Sequence, residues 1–225
     1  MFEMRVLAFQ HYPTEPMGYI ESILEREGID YEYVKLYEQE CPDFEELKKF
    51  SHLVFMGGPM GVYEEEKYPF LKKEKEIIRR AYREEIPVIG FCLGAQLIAS
   101  ALGKRVYPFK KELGWFEVVK TADDVVTENL PEKMTVFQWH GDTFDLPDDA
   151  VLLYRGHEVP NQAFRAGKCV ALQFHLEVTE EIVRTWLKDE EMKEEDKRKI
   201  IEDTERYVKK ANELCELLIK NFLSL

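Results

Sequence analysis

Cysteine is scarce in this chain of 225 residues. Four are present, Cys41, Cys92, Cys169 and Cys215, all far apart and none in a C-x-x-C pair, so neither a zinc knuckle nor a dithiol redox motif is indicated. Basic charge is also in deficit: 31 Lys and Arg face 44 Asp and Glu, a formal net charge of −13, which opposes binding to a phosphate backbone. Nucleic acid is not an expected partner. Long apolar runs are missing too. Met1 to Arg5 carries an acid and no apolar segment, unlike a secretory signal. The longest uncharged stretch, Ile86 to Gly103, holds Pro87 and internal glycines and falls short of a membrane span. The expectation is a cytoplasmic protein that does not enter the membrane and keeps its cysteines as free thiols. No repeat, low-complexity linker or Ser- and Gly-rich hinge marks a second independent domain.

What is present is a globular composition, 45% hydrophobic and 33% charged, with a recurring alternation in its first half. Short apolar runs at Met4 to Gln10, His52 to Met56 and Pro87 to Phe91, and an alternating one at Tyr31 to Tyr37, read as strands. Between them lie a helix from Gly18 to Glu27 stopped by Gly28, a short one opened by an Asp43/Glu46 capping box, and a long one from Pro69 to Glu85. Strands alternating with helices predict an α/β fold, a central, mostly parallel sheet with flanking helices, in which ligands sit at the C-terminal strand ends. Trp115 to Lys120, Met134 to Trp139, Ala150 to Tyr154 and Cys169 to Phe174 are strand-like with few helices between, predicting a mixed or antiparallel extension. From Glu180 the chain reads as helical, with Ile200, Tyr207, Ala211, Leu214, Leu218 and Phe222 on one face. The expected division is a domain over 1–188 and a C-terminal helical extension over 189–225. That extension buries its stripe on the domain or in a homodimer interface.

Cys92 stands where the apolar run Val88 to Phe91 passes into a helical pattern, with Gly90 and Gly94 two residues to either side. That is the small-x-nucleophile-x-small spacing of a sharp strand-to-helix turn that exposes a nucleophile. Such a turn sets the thiol at a helix N-terminus, where free N–H groups favour a thiolate, and aims the Leu93 N–H at the oxygen of an attacked carbonyl. Packing at a β-α junction also enriches glycine, so a buried structural cysteine is the competing reading.

A cysteine nucleophile needs a base, and the base an orienting acid. Two pairs end strand-like runs with histidine and acid on one face: His175 with Glu177, and His140 with Asp142. Spacing does not choose between them. His11, His52 and His157 have no acid so placed, read as structural, and form no metal-site spacing.

Gly90-Phe91-Cys92-Leu93-Gly94-Ala95-Gln96 followed by Gln173-Phe174-His175-Leu176-Glu177 resembles the class I glutamine amidotransferase family, and Gly57-Gly58-Pro59 resembles that family's loop after an early strand. The resemblance covers Met4 to Trp186, and within the family it points to free-standing proteins similar to the glutaminase part of guanylate synthase. It implies a flavodoxin-like sheet, with Cys92 as nucleophile, His175 as base and Glu177 as its orienter. Gly58 and Leu93 would supply the oxyanion N–H groups. Gln96, Gly57, His140 and Gly141 would lie along the substrate, with no metal or organic cofactor. Leu176 stands where many members have proline, and Trp139 where synthase-linked members have a smaller or polar residue. The chain has no G-x-x-x-x-G-K-[ST] loop, so an ATP-using acceptor of ammonia would be a separate protein. The expected substrate is glutamine or a γ-glutamyl relative. The alternatives are a stand-alone γ-glutamyl hydrolase and a non-catalytic binding or regulatory module.

Overall fold

The computed structural model describes residues 4–225. Its first half is a run of β-α units: β1 (Arg5–Gln10), α1 (Tyr19–Glu27), β2 (Asp30–Lys35), β3 (His52–Phe55), α2 (Phe70–Arg83), β4 (Val88–Phe91) and α3 (Leu93–Ala101). A short 3-10 turn, Phe44–Lys49, precedes β3 and carries the Asp43/Glu46 capping box. Gly28 ends α1 in the left-handed conformation, φ 67°, as its sequence position predicts. The second half contributes β5 (Val106–Lys120), β6 (Lys133–Phe144), β7 (Val151–Arg155), β8 (Asn161–Ala166) and β9 (Cys169–Leu172), then α4 (Glu180–Lys188) and α5 (Glu194–Leu223).

All nine strands form one mixed sheet in the order β2-β1-β3-β4-β9-β8-β7-β5-β6. Pairings from β2 through β9 are parallel and those beyond β9 antiparallel. The inner parallel strands β3 and β4 are covered on both faces, which is why they read as continuous apolar runs, whereas the edge strand β2 alternates. Val6 and Ala8 point toward the side of Ile23, Leu214 and Leu218, whereas Leu7 and Phe9 point toward that of Ile77, Leu97 and Ile98. Each such fully buried aliphatic side chain contributes on the order of 2 kcal/mol of transfer free energy.

Three strands differ from expectation in a way their side chains explain. β5 begins earlier and β6 runs further than expected, as a long hairpin, because Pro108 to Lys111 lie exposed at the bulge near its open end and carry no apolar pattern. β8 is absent from the sequence reading because it carries Gln162 and Arg165. Gln162 is nevertheless fully buried, with its amide donating to Glu112 and to the Val159 carbonyl. The C-terminal helical region breaks at 189–193. The α5 stripe, with Tyr207 half-buried, packs against α1, α4, β5 and β6 of the same chain.

Candidate active site

β4 runs into α3 through a single residue, Cys92, whose backbone is held at φ 52°, ψ −105°. For a residue with a side chain this is a strained conformation, kept only where the surroundings over-determine it. Here they do. A Cβ on Gly90 would stand 2.4 Å from the carbonyl carbon of Gly94, and one on Gly94 would stand 2.0 Å from the Phe55 carbonyl oxygen. The Cys92 N–H donates to Leu172 O over 2.8 Å, tying the turn to β9. Both glycines are therefore required by close approach, and the sharp turn is present.

Cys92 is 7% exposed, and its Sγ donates to the Trp139 carbonyl at 3.4 Å. The other three cysteines are buried free thiols as well. Burial pushes Cys41 and Cys169 up to about 12 and Cys215 well above its usual value, which removes them as nucleophiles at neutral pH.

His175 follows β9 and is fixed by a two-way backbone exchange with Phe137, His175 N to Phe137 O at 2.8 Å and the reverse at 3.2 Å. Its Nδ1 meets Glu177 Oε1 at 2.6 Å, and its ring lies beside Cys92 in the wall of the same cavity. Burial works against an imidazolium here, yet the Glu177 carboxylate and Cys92 outweigh it and hold His175 well above the ordinary histidine range. Cys92, His175 and Glu177 thus form one buried line of contacts.

The second pair does not form as spaced. His140 Nδ1 meets the backbone carbonyl of Asp142 at 2.9 Å, and its Nε2 meets Glu112 Oε2 at 2.9 Å. The Asp142 carboxylate instead accepts from the Tyr63 hydroxyl at 3.0 Å. Both nitrogens of His140 are engaged, so neither is left to take a proton from Cys92.

Gly58 and Leu93 are brought together: a Cβ on Gly58 would stand 2.8 Å from Leu93 Cδ2. The Leu93 side chain is buried, leaving its backbone N–H in the open first turn of α3. Gly58, Cys92, Gln96, His140, Gly141 and His175 share the wall of one cavity of about 570 Å³ at the C-terminal ends of β3 and β4. Gly57 lies just behind, against the His175 ring and Glu15. Gln96 donates to Gln173 Oε1 at 3.1 Å, which holds its amide at the cavity floor.

Several lining residues carried no sequence signal. Trp186 meets His175 edge-on, ring centroids 5.1 Å apart, and its indole N–H donates to Thr14 O at 2.6 Å. Glu15 reaches the cavity from the loop after β1. Burial raises its carboxyl to about 7, with His175 and His11 pulling it down and Glu177 pushing it up. Among the described residues no three His, Cys, Asp or Glu side chains gather as a metal site.

The sequence pattern described as glutamine amidotransferase class-I matches residues 18–192. The chain belongs to this family. The crystal structure of a glutamine amidotransferase from Thermotoga maritima superposes with a TM-score of 0.92 at 38% identity over 100% of both chains. A glutamine amidotransferase-like protein of Salmonella typhimurium, YfeJ, is 32% identical over 190 residues, covering 80% of this chain and 78% of that one. The GMP synthase [glutamine-hydrolyzing] of Thermomicrobium roseum is 34% identical over 140 residues, 60% of this chain and 25% of that enzyme. The chain therefore spans about a quarter of the length of that synthase. No helix among the described residues of this amidotransferase is long and apolar enough to cross a membrane.

Proposed function

We propose that this class-I amidotransferase hydrolyses the side-chain amide of glutamine through a thioester on Cys92, yielding glutamate and delivering ammonia to a separate acceptor enzyme in the cytoplasm. The observation that carries this reading is the Cys92–His175–Glu177 line, buried throughout and closed by the 2.6 Å contact between His175 and Glu177. His175 takes the Cys92 proton, and the sulfur attacks the amide carbon. The oxygen of the tetrahedral intermediate, now negative, accepts from the N–H groups of Gly58 and Leu93. Collapse breaks the carbon–nitrogen bond as His175 returns its proton to the departing nitrogen, releasing ammonia. A water then loses its proton to His175 and attacks the thioester. The sulfur leaves, His175 returns the proton to it, and glutamate is freed. Glu177 keeps the ring oriented and supports its positive charge in both halves.

Gln96, Gly57, His140 and Gly141 line or back the path of the substrate in this reading. Residues 1–188 form the catalytic domain, and 189–225 a helical extension. One observation favours a second reading, stand-alone hydrolysis of γ-glutamyl peptides or amides. The cavity, about 570 Å³, falls within the roughly 300–1,000 Å³ of sites for ligands larger than one amino acid.

The deciding experiment is release of ammonia and glutamate from glutamine by the purified chain, run beside γ-glutamyl dipeptides with Cys92→Ala as control. Turnover that disappears in Cys92→Ala supports the thioester route, and the preferred substrate chooses between the two readings. Turnover that survives the substitution eliminates both.

A further inference from the structure

A glycine-glycine peptide rotates with little steric resistance, so the Gly57–Gly58 unit does not by itself keep its N–H facing the cavity. The Gly58 N–H meets no acceptor among the described residues. What holds this peptide comes from behind. His11, just past the end of β1, has Nδ1 3.2 Å from Gly57 O and Nε2 2.8 Å from Glu74 Oε1 on α2. Both side chains have 0% exposure, and a Cβ on Gly58 would stand 3.0 Å from His11 Cβ.

Both partners of the ring are acceptors: a carbonyl oxygen has no proton to give, and a carboxylate has none either. With Glu74 ionised, both ring nitrogens donate and His11 is held as an imidazolium. The C=O and N–H of a trans peptide point to opposite sides, and the described residues contain no cis bond. Pinning the Gly57 oxygen toward His11 turns the Gly58 N–H the other way, and Gly58 lies in the cavity wall that also holds Cys92. We propose that the buried His11–Glu74 pair is a positioning device that fixes the Gly57–Gly58 peptide with its N–H toward the scissile amide. This rests on the reading of Gly58 as an oxyanion donor.

The energetics point the same way. A buried ion pair gains little over an apolar pair of equal size, and Glu74 Oε2 is buried without a partner. Stability alone gives no reason for such a pair in the core behind the glycine loop, whereas orientation does. The charged groups facing His11 are Glu74 from α2 and Glu15 from the loop after β1. Burial opposes the proton on His11, and these two carboxyls, with the Gly57 carbonyl, outweigh it and raise the ring above its usual value. Cys41, whose thiol senses Glu74, is the remaining titratable neighbour of the pair. His11 lies ahead of the residues matched by the family pattern.

Three full-length variants test the device. His11→Leu removes the donor, His11→Asn keeps one N–H for Gly57 O without a charge, and Glu74→Gln keeps a hydrogen bond but withdraws the charge that retains the ring proton. On whichever substrate the wild type turns over, kcat should fall about 10²–10³-fold in His11→Leu, the loss typical of one oxyanion donor. KM should stay within about threefold. His11→Asn should recover most of the rate, and Glu74→Gln should lose activity at a lower pH than wild type. Alkylation of Cys92 by iodoacetamide develops no oxyanion and should keep its wild-type rate in all three, which separates the effect from unfolding. Wild-type kcat in His11→Leu, or equal losses in His11→Asn and His11→Leu, overturns the proposal. Nitrogen-15 spectra decide it independently of turnover. At pH 7 both His11 ring nitrogens should be protonated, and the Gly58 amide resonance should move in His11→Leu. A neutral ring or an unmoved Gly58 overturns the positioning role. Absence of turnover on every substrate would sink the hydrolase reading instead.

Discussion

Asn212, on the long C-terminal helix, brackets Glu177: its side-chain amide donates at 2.9 Å to both the Leu176 and the Val178 carbonyls. The same turn is held from the other side by the Tyr19 N–H on Glu177 O at 2.8 Å. The placement of Glu177 thus depends on α5. Asn212→Ala leaves two carbonyls without their donor and should cost about 1–3 kcal/mol in urea denaturation. Turnover should drop about tenfold as Glu177 loosens. Unchanged stability together with unchanged kcat would dismiss the coupling.

Glu177→Gln should lower turnover by about 10²–10⁴-fold, the range seen when the orienting acid of such a line is neutralised. Its effect on stability has a defined sign. The folded-state value of His175 is raised, so its contribution is full below the ordinary histidine range and is lost as pH climbs through the raised value. Glu177→Gln removes that contribution, so the gap between wild type and variant should be widest in mild acid and narrow in alkali. A gap that widens with pH in a denaturation series would contradict the pairing.

The inner parallel strands are legible in the sequence because strands buried on both faces are apolar throughout, as Val88 to Phe91 shows, and the edge strand β2 is legible by its alternation. The turn at Cys92 is legible because close approach leaves no chemistry except glycine at 90 and 94. The partner of His140 is not. Local spacing offers Asp142, whereas the true neighbour is Glu112, directly opposite His140 in the β5–β6 register. Such a cross-strand pair has no fixed separation along the chain. Glu15 is hidden for a related reason: its place beside His175 is created by the fold of the loop after β1 and leaves no periodicity.

Glu15→Gln should reverse a pH-dependent penalty. The carboxyl is raised from 4.5 to about 7, so its favourable contribution is complete below the lower value and is lost as pH rises through the upper one. The variant should therefore gain on wild type between pH 5 and pH 8, by about 1–2 kcal/mol after allowing for the part that solvent reaches. Equal stability differences at the two pH values would show that Glu15 is solvated like any surface acid.

Gly94→Ala tests the closeness of α3 to β3. Its Cβ would overlap the Phe55 carbonyl oxygen at 2.0 Å, a backbone atom that has no rotamer to escape into. A loss of about 3 kcal/mol or more is expected, with turnover lost in parallel. Gly28→Ala makes a useful contrast, because nothing lies within 4 Å of its added Cβ and only the positive φ of 67° is strained. It should cost about 1 kcal/mol and leave kcat alone. Equal damage from the two would refute the packing argument.

Strand order also has a consequence for biosynthesis. β4, which delivers Cys92, pairs with β9, which delivers His175, with Val88 beside Cys169. Everything from α3 through β8 is synthesised between those partners and must be looped out before they meet. A nascent chain still emerging from the ribosome therefore carries Cys92 without His175, beside an open β4 edge that can recruit another strand. In the proposed reaction Cys92 acts only with His175 beside it, so its reactivity would report that β9 has reached β4.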